Sequence, residues 1–142
     1  MIRIWFVVVT AAALAGCRSE CDLGDDLSTR SGDQAQNCGR VLIGGATDTV
    51  DACAVTAFQA KKPFFARYDR QGFDSEVALA VAFDGQTMTF LSWDSSPSGG
   101  GYTHPLIRTQ SCASPAVDLG RSDPVHPPFV CNPEGPSEIS CQ

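Results

Sequence analysis

Seven cysteines, at positions 17, 21, 38, 53, 112, 131 and 141, constrain this chain more than any other feature. No two stand as Cys-x-x-Cys, so neither a thioredoxin-like redox pair nor a zinc ribbon is indicated. In a protein that leaves the cytoplasm the default for such a set is structural disulfides. An odd number leaves one thiol over, and the N-terminal segment says which.

Met1, Ile2 and Arg3 form a short leading region whose only charged side chain is Arg3. Residues 4–13 (IWFVVVTAAA) are apolar except for Thr10. A helix needs about 20 apolar residues to cross a bilayer core, so this run is far too short. It suits the hydrophobic centre of an export signal. Leu14, Ala15, Gly16 and Cys17 follow directly. They resemble the bacterial lipobox, in which small residues precede an obligatory cysteine. The resemblance covers residues 1–17 only. It implies that residues 1–16 are a signal peptide, that cleavage falls before Cys17, and that the Cys17 thiol and the new amino terminus carry acyl chains such as palmitate. An ordinary signal peptide, with Cys17 as a half-cystine, and an uncleaved helix are the alternatives. The order of charged, apolar and small regions favours the lipobox. Lipid on Cys17 also leaves six cysteines, a number that pairs completely.

Each buried methylene of an acyl chain contributes about 0.8 kcal/mol, and two or more chains anchor a protein stably. The mature chain then needs no transmembrane helix. Bacterial lipoproteins retained in an inner membrane usually carry Asp after the lipidated cysteine. Arg18 stands there instead, so the resemblance implies the outer membrane or periplasmic face in a cell with two membranes.

Removing residues 1–16 leaves 126 residues, suited to one domain. Nine basic residues then face sixteen acidic ones, a net charge of −7. Such a chain has no electrostatic footprint for nucleic acid or anionic lipid headgroups. Residues 18–37 are polar, acidic and poor in large apolar side chains, a composition that does not offset ordering entropy. With Cys17 they read as a spacer, residues 17–37, ahead of a domain at 38–142, although a disulfide at Cys21 would fold part of it back.

Within the domain, residues 40–43 read as a short strand. Residues 49–62 read as a helix, because Val50, Cys53, Ala54, Ala57 and Phe58 form one apolar stripe. Asp48 is its expected N-cap and Pro63 its stop. Residues 64–70, 76–83 and 87–93 read as strands, the last two joined by an Asp84-Gly85 hairpin turn. That turn sets Phe83 opposite Gln86 and Val81 opposite Met88. It gathers Ala78, Ala80 and Ala82 on one face, flat enough for the helix. Val77, Leu79, Val81, Phe83, Met88 and Phe90 then face a second layer or the C-terminal segment. Residues 102–109 form a fourth strand, confined to an edge or bulged by Pro105. From residue 113 the chain holds six of its nine prolines and reads as irregular.

The expected fold is α+β: one helix on an antiparallel sheet of about four strands, stapled by disulfides. Over residues 40–110 the order of helix then meander resembles cystatin-like folds, a likeness of topology that implies no activity. Six cysteines allow 15 pairings. Cys38–Cys53 is the expected one, with Cys21, Cys112, Cys131 and Cys141 sharing the other two bonds.

The candidate ligand loop is Asp94, Ser95, Ser98, Gly99, Gly100 and Gly101, whose backbone N–H groups and polar side chains suit an anion or polar ligand, with Trp93 and Tyr102 on either side. It lacks the lysine of a phosphate-binding loop, and no dinucleotide fingerprint is present. The carboxylates Asp25, Asp26, Asp69 and Asp74 read as solvated. No residue is assigned to catalysis, to a metal or to a cofactor. The leading expectation is a lipid-anchored envelope protein that binds a protein, peptide or glycan. The alternatives are a structural or protective envelope lipoprotein, and an envelope hydrolase using Ser98 or Ser95 with His104.

Overall fold

The computed structural model describes residues 21–98, 104–121, 123 and 125–141. The signal segment, Cys17, Tyr102 and the glycines at 99–101 lie outside them. In chain order the elements are α1 (Leu23–Ser31), β1 (Gln36–Val41), α2 (Asp48–Gln59), β2 (Phe64–Gln71), β3 (Glu76–Phe83), β4 (Met88–Asp94), β5 (Leu106–Cys112), β6 (Pro115–Val117), β7 (Phe129–Cys131) and β8 (Ser137–Cys141). Six strands form one sheet in the order β1-β2-β3-β4-β5-β8, and β6 pairs with β7 in a small second sheet. All neighbours in the large sheet are antiparallel except β1 and β2, which run parallel through the α2 crossover.

The α+β class is as expected, with six strands in place of about four and two helices in place of one. The second helix comes from the supposed spacer. Asp22 caps α1, its Oδ1 accepting the N–H groups of Gly24 at 2.6 Å and Asp25 at 3.3 Å. Leu23 and Leu27, one turn apart, are both 2% exposed against Ala78, Ala80, Ala82, Leu91 and Ile107. Composition argued against structure here because only two large apolar side chains are available. Three alanines across one strand let the helix approach closely, and the Cys21–Cys141 disulfide ties its leading end to β8. Two leucines then suffice.

The alanine face is therefore covered by α1, and α2 packs on the opposite face. Successive strand residues point to opposite sides, so Phe64, Ala66, Tyr68, Val81, Phe83 and Met88 lie on the α2 side. Val50, Ala54 and Ala57 are buried there, and Phe58 meets Phe83 and Phe129 edge-on at 5.2 Å each. The helix runs Asp48–Gln59, with Thr47 at the N-cap position and no side-chain cap bond. Asp51 is instead drawn inward: Tyr68 Oη donates to its Oδ1 at 2.8 Å, and Arg121 pairs with its Oδ2. Burial and the neighbouring Asp51 push the Tyr68 hydroxyl well above its ordinary range.

The β3–β4 turn is longer than two residues. Asp84 Oδ1 accepts the N–H groups of Gln86 and Thr87 at 2.8 and 2.7 Å, and Gly85 takes φ +100°. Phe83 consequently pairs with Met88, Val81 with Phe90 and Leu79 with Ser92. A shift of two residues leaves every side chain on its expected face. Pro105 lies just ahead of β5, which is an interior strand between β4 and β8, so it neither bulges the strand nor confines it to an edge. The proline-rich tail is more regular than composition suggests. It contributes β6, β7 and β8, held by Cys112–Cys131 and Cys21–Cys141. The expected Cys38–Cys53 bond is formed as well, clamping α2 to β1.

Candidate functional site

On the α2 side of the sheet the helix covers β1 and β2, and the C-terminal segment covers part of β3 to β5. Between that segment and the sheet a cleft of about 430 Å³ remains. Alternation along the strands builds its floor. Leu79, Phe90, Ser92, Arg108 and Gln110 come from β3, β4 and β5, where Leu79 pairs with Ser92, Ser92 with Arg108, and Phe90 with Gln110. The wall is His126, Pro127, Phe129, Val130 and Cys131, with Glu134 and Ser137 at the β8 side.

The wall is fixed by its own contacts. Phe129 packs against Phe58 and Phe64, and Cys131 is bonded to Cys112 of β5. Gln110 Nε2 donates to Glu134 Oε2 at 3.3 Å and to the Gly135 carbonyl at 3.2 Å. Gly135 passes so near β5 that a Cβ would stand 2.1 Å from the Ser111 carbonyl oxygen. At the other end Arg70 Nη2 donates to Asp123 Oδ2 at 2.7 Å, and Arg70 Nη1 lies 3.3 Å from His126 Nε2. The Val125 N–H at 2.9 Å, joined by Arg70, holds the Asp123 carboxyl below its ordinary range. Arg108 is exposed over the apolar floor and makes no hydrogen bond or ion pair among the described residues. The result is a concave cleft in which the apolar Leu79 and Phe90 lie beside a cation, an amide and a carboxylate, a composition common to ligand clefts.

The residues singled out from sequence lie elsewhere. Asp94 ends β4, and its Oδ1 accepts the Ser96 N–H at 2.9 Å. Ser95 ties the loop to the start of β3: its N–H donates to the Glu76 carbonyl and its Oγ accepts the Glu76 N–H, both at 2.9 Å. Ser98 and His104 are exposed, and among the described residues no hydrogen bond joins His104 to Ser95 or Ser98. None of Asp94, Ser95, Ser98 and His104 lines the cleft. Gly99, Gly100 and Gly101 fall outside the described residues. Leu79 and Phe90 were expected to face a second layer or the C-terminal segment, and they do. Arg108 and Glu134 carried no sequence signal, because β8 and the path of the tail were invisible.

Comparison with protein-family models, with curated proteins and with solved structures finds no match. The three disulfides belong to an oxidising, exported environment. Among the described residues no helix is long and apolar enough to cross a membrane.

Proposed function

We propose that this chain is a lipid-anchored protein of the bacterial cell envelope whose domain binds an extended segment of a partner protein in the cleft over Leu79 and Phe90. The observation that carries the anchor is the cysteine pairing. Cys21, Cys38, Cys53, Cys112, Cys131 and Cys141 bond to one another, leaving Cys17 of the lipobox as the odd thiol. The staple at Cys21 also shortens the tether. Only four residue steps separate it from Cys17, a reach of about 14 Å at full extension. The domain therefore works close to the bilayer surface. The cleft's apolar floor favours a peptide side chain, and the opposite charges of Arg108 and Glu134 suit a segment with polar groups of both signs.

Intact-mass measurement of the membrane-extracted protein under non-reducing conditions tests the anchor. The expected mass is a chain beginning at Cys17, with fatty acyl groups on that residue and six hydrogens lost to three disulfides. A chain beginning elsewhere, or without acyl mass at residue 17, overturns it. For the cleft, a random peptide library is selected against the lipidated protein in nanodiscs. Selected peptides should lose at least tenfold in affinity to Phe90→Asp and to Arg108→Glu, and be indifferent to Leu119→Ser. Equal binding by all three variants overturns the site.

A further inference from the structure

A second site lies at the C-terminal ends of the parallel strands β1 and β2. Arg40 of β1 pairs in register with Arg67 of β2, and Asp69 follows two residues later on the same side of β2. Asp69, with its side chain 8% exposed, joins the two arginines: Arg67 Nε donates to Oδ1 at 2.7 Å, and Arg40 Nε donates to Oδ2. Each guanidinium thus spends its Nε on the buried carboxylate, and among the described residues neither has a hydrogen bond from its terminal nitrogens. Arg67 is further fixed by the Trp93 ring, its Cζ lying 5.3 Å from the ring centroid.

Two guanidinium groups on one carboxylate leave one positive charge, held in place before any ligand arrives. Preorganisation of this kind lowers the ordering cost of binding, and the free guanidinium edges match an oxyanion. A cleft of about 280 Å³ opens there, and its lip includes Leu42 and Ile43, which are 61% and 53% exposed, together with Val77. Glu76 also lines it and repels a doubly charged anion more than a singly charged one. Arg70, the third arginine of the cleft, is already engaged with Asp123.

We infer that Arg40 and Arg67, held by Asp69, form a receptor for a monoanionic carboxylate attached to an aliphatic group, such as the C-terminus of a peptide ending in an aliphatic residue. The site is separate from the cleft over Phe90 and does not depend on it. The probe is N-acetyl-leucine, titrated into the full chain in detergent micelles and followed by the indole N–H resonance of Trp93, assigned with Trp93→Phe. The resonance should shift saturably with N-acetyl-leucine and stay unmoved with N-acetyl-leucine amide. Arg40 is half-exposed, so Arg40→Met should fold and weaken binding at least tenfold, while Leu42→Ser should weaken it a few-fold. The unliganded amide spectrum of each variant checks the fold. Equal shifts from acid and amide overturn the inference, as does undiminished binding by folded Arg40→Met. Tighter binding of inorganic phosphate than of N-acetyl-leucine overturns the carboxylate assignment.

Discussion

On the α1 side of the large sheet the contact surface is Ala78, Ala80 and Ala82, and a nine-residue helix touches it with Leu23 and Leu27. On the α2 side the surface is aromatic. Phe58, Phe64, Phe83 and Phe129 meet in pairs with ring centroids 5.2 to 5.8 Å apart. The first face achieves close approach with little side-chain volume, and a disulfide between residues 120 apart in sequence supplements it. The second buries more apolar volume but is covered by two separate pieces, a helix and the C-terminal segment, so a cleft remains at their junction. One face is thin and covered by a single short helix; the other is thick and incompletely closed. The incompletely closed one leaves a cleft over Leu79 and Phe90.

The contrast predicts different responses to the same kind of change. On the aromatic face, Phe64 is fully buried, and Phe64→Ala should destabilise by about 3–5 kcal/mol in non-reducing chemical denaturation, because the surrounding aromatic packing relaxes only partly into the void. A cost near that of an exposed substitution would show that the face is loosely packed. On the alanine face the staple matters more. Cys21→Ser with Cys141→Ser should cost about 2–4 kcal/mol. Hydrogen exchange should rise first in residues 23–31, and a uniform rise across the sheet would deny α1 its separate dependence on the bond. Enlarging the same face should also hurt. Ala80 is fully buried, so Ala80→Leu should cost about 1–3 kcal/mol by pushing α1 away. A neutral result would mean that the close approach is not needed.

The smallest effect concerns the open end of the cleft. Asp123 is held below the ordinary carboxylate value of 3.8 by the Val125 N–H first, then by Arg70 and His126. A depressed folded value means that this contribution is complete above the unfolded carboxylate value and is lost as pH falls through the lower, folded one. Amide shifts of residues 125–127 should therefore stay constant from pH 5 to pH 8 as far as Asp123 governs them. They should move only at more acidic pH, and Asp123→Asn should abolish that acid step.

Strand periodicity was sufficient for β2, β3 and β4 because their neighbours in sequence are also their neighbours in the sheet. Their faces survived even where the turn at Asp84 shifted the register, since a displacement of two residues conserves the alternation. The helical stripe located α2, but nothing in it could choose between the two apolar faces of β3. That choice was made by α1, which took the alanine face and left the aromatic one. Leu23 and Leu27 in an acidic stretch gave too weak a signal to foresee this, because the surface that buries them lies more than fifty residues away.

The same division separates the sites. From the amino acids alone came the odd count of seven cysteines, the use of six of them in disulfides and the Cys38–Cys53 bond, which rest on counting or on local order. The cleft and the arginine pair came from the fold. Arg108 and Glu134 line one cleft whose far wall arrives from a proline-rich tail, and Arg40 pairs in register with Arg67 across a parallel pair closed by α2. Contacts of that kind depend on which strands become neighbours, and local sequence patterns do not encode long-range pairing.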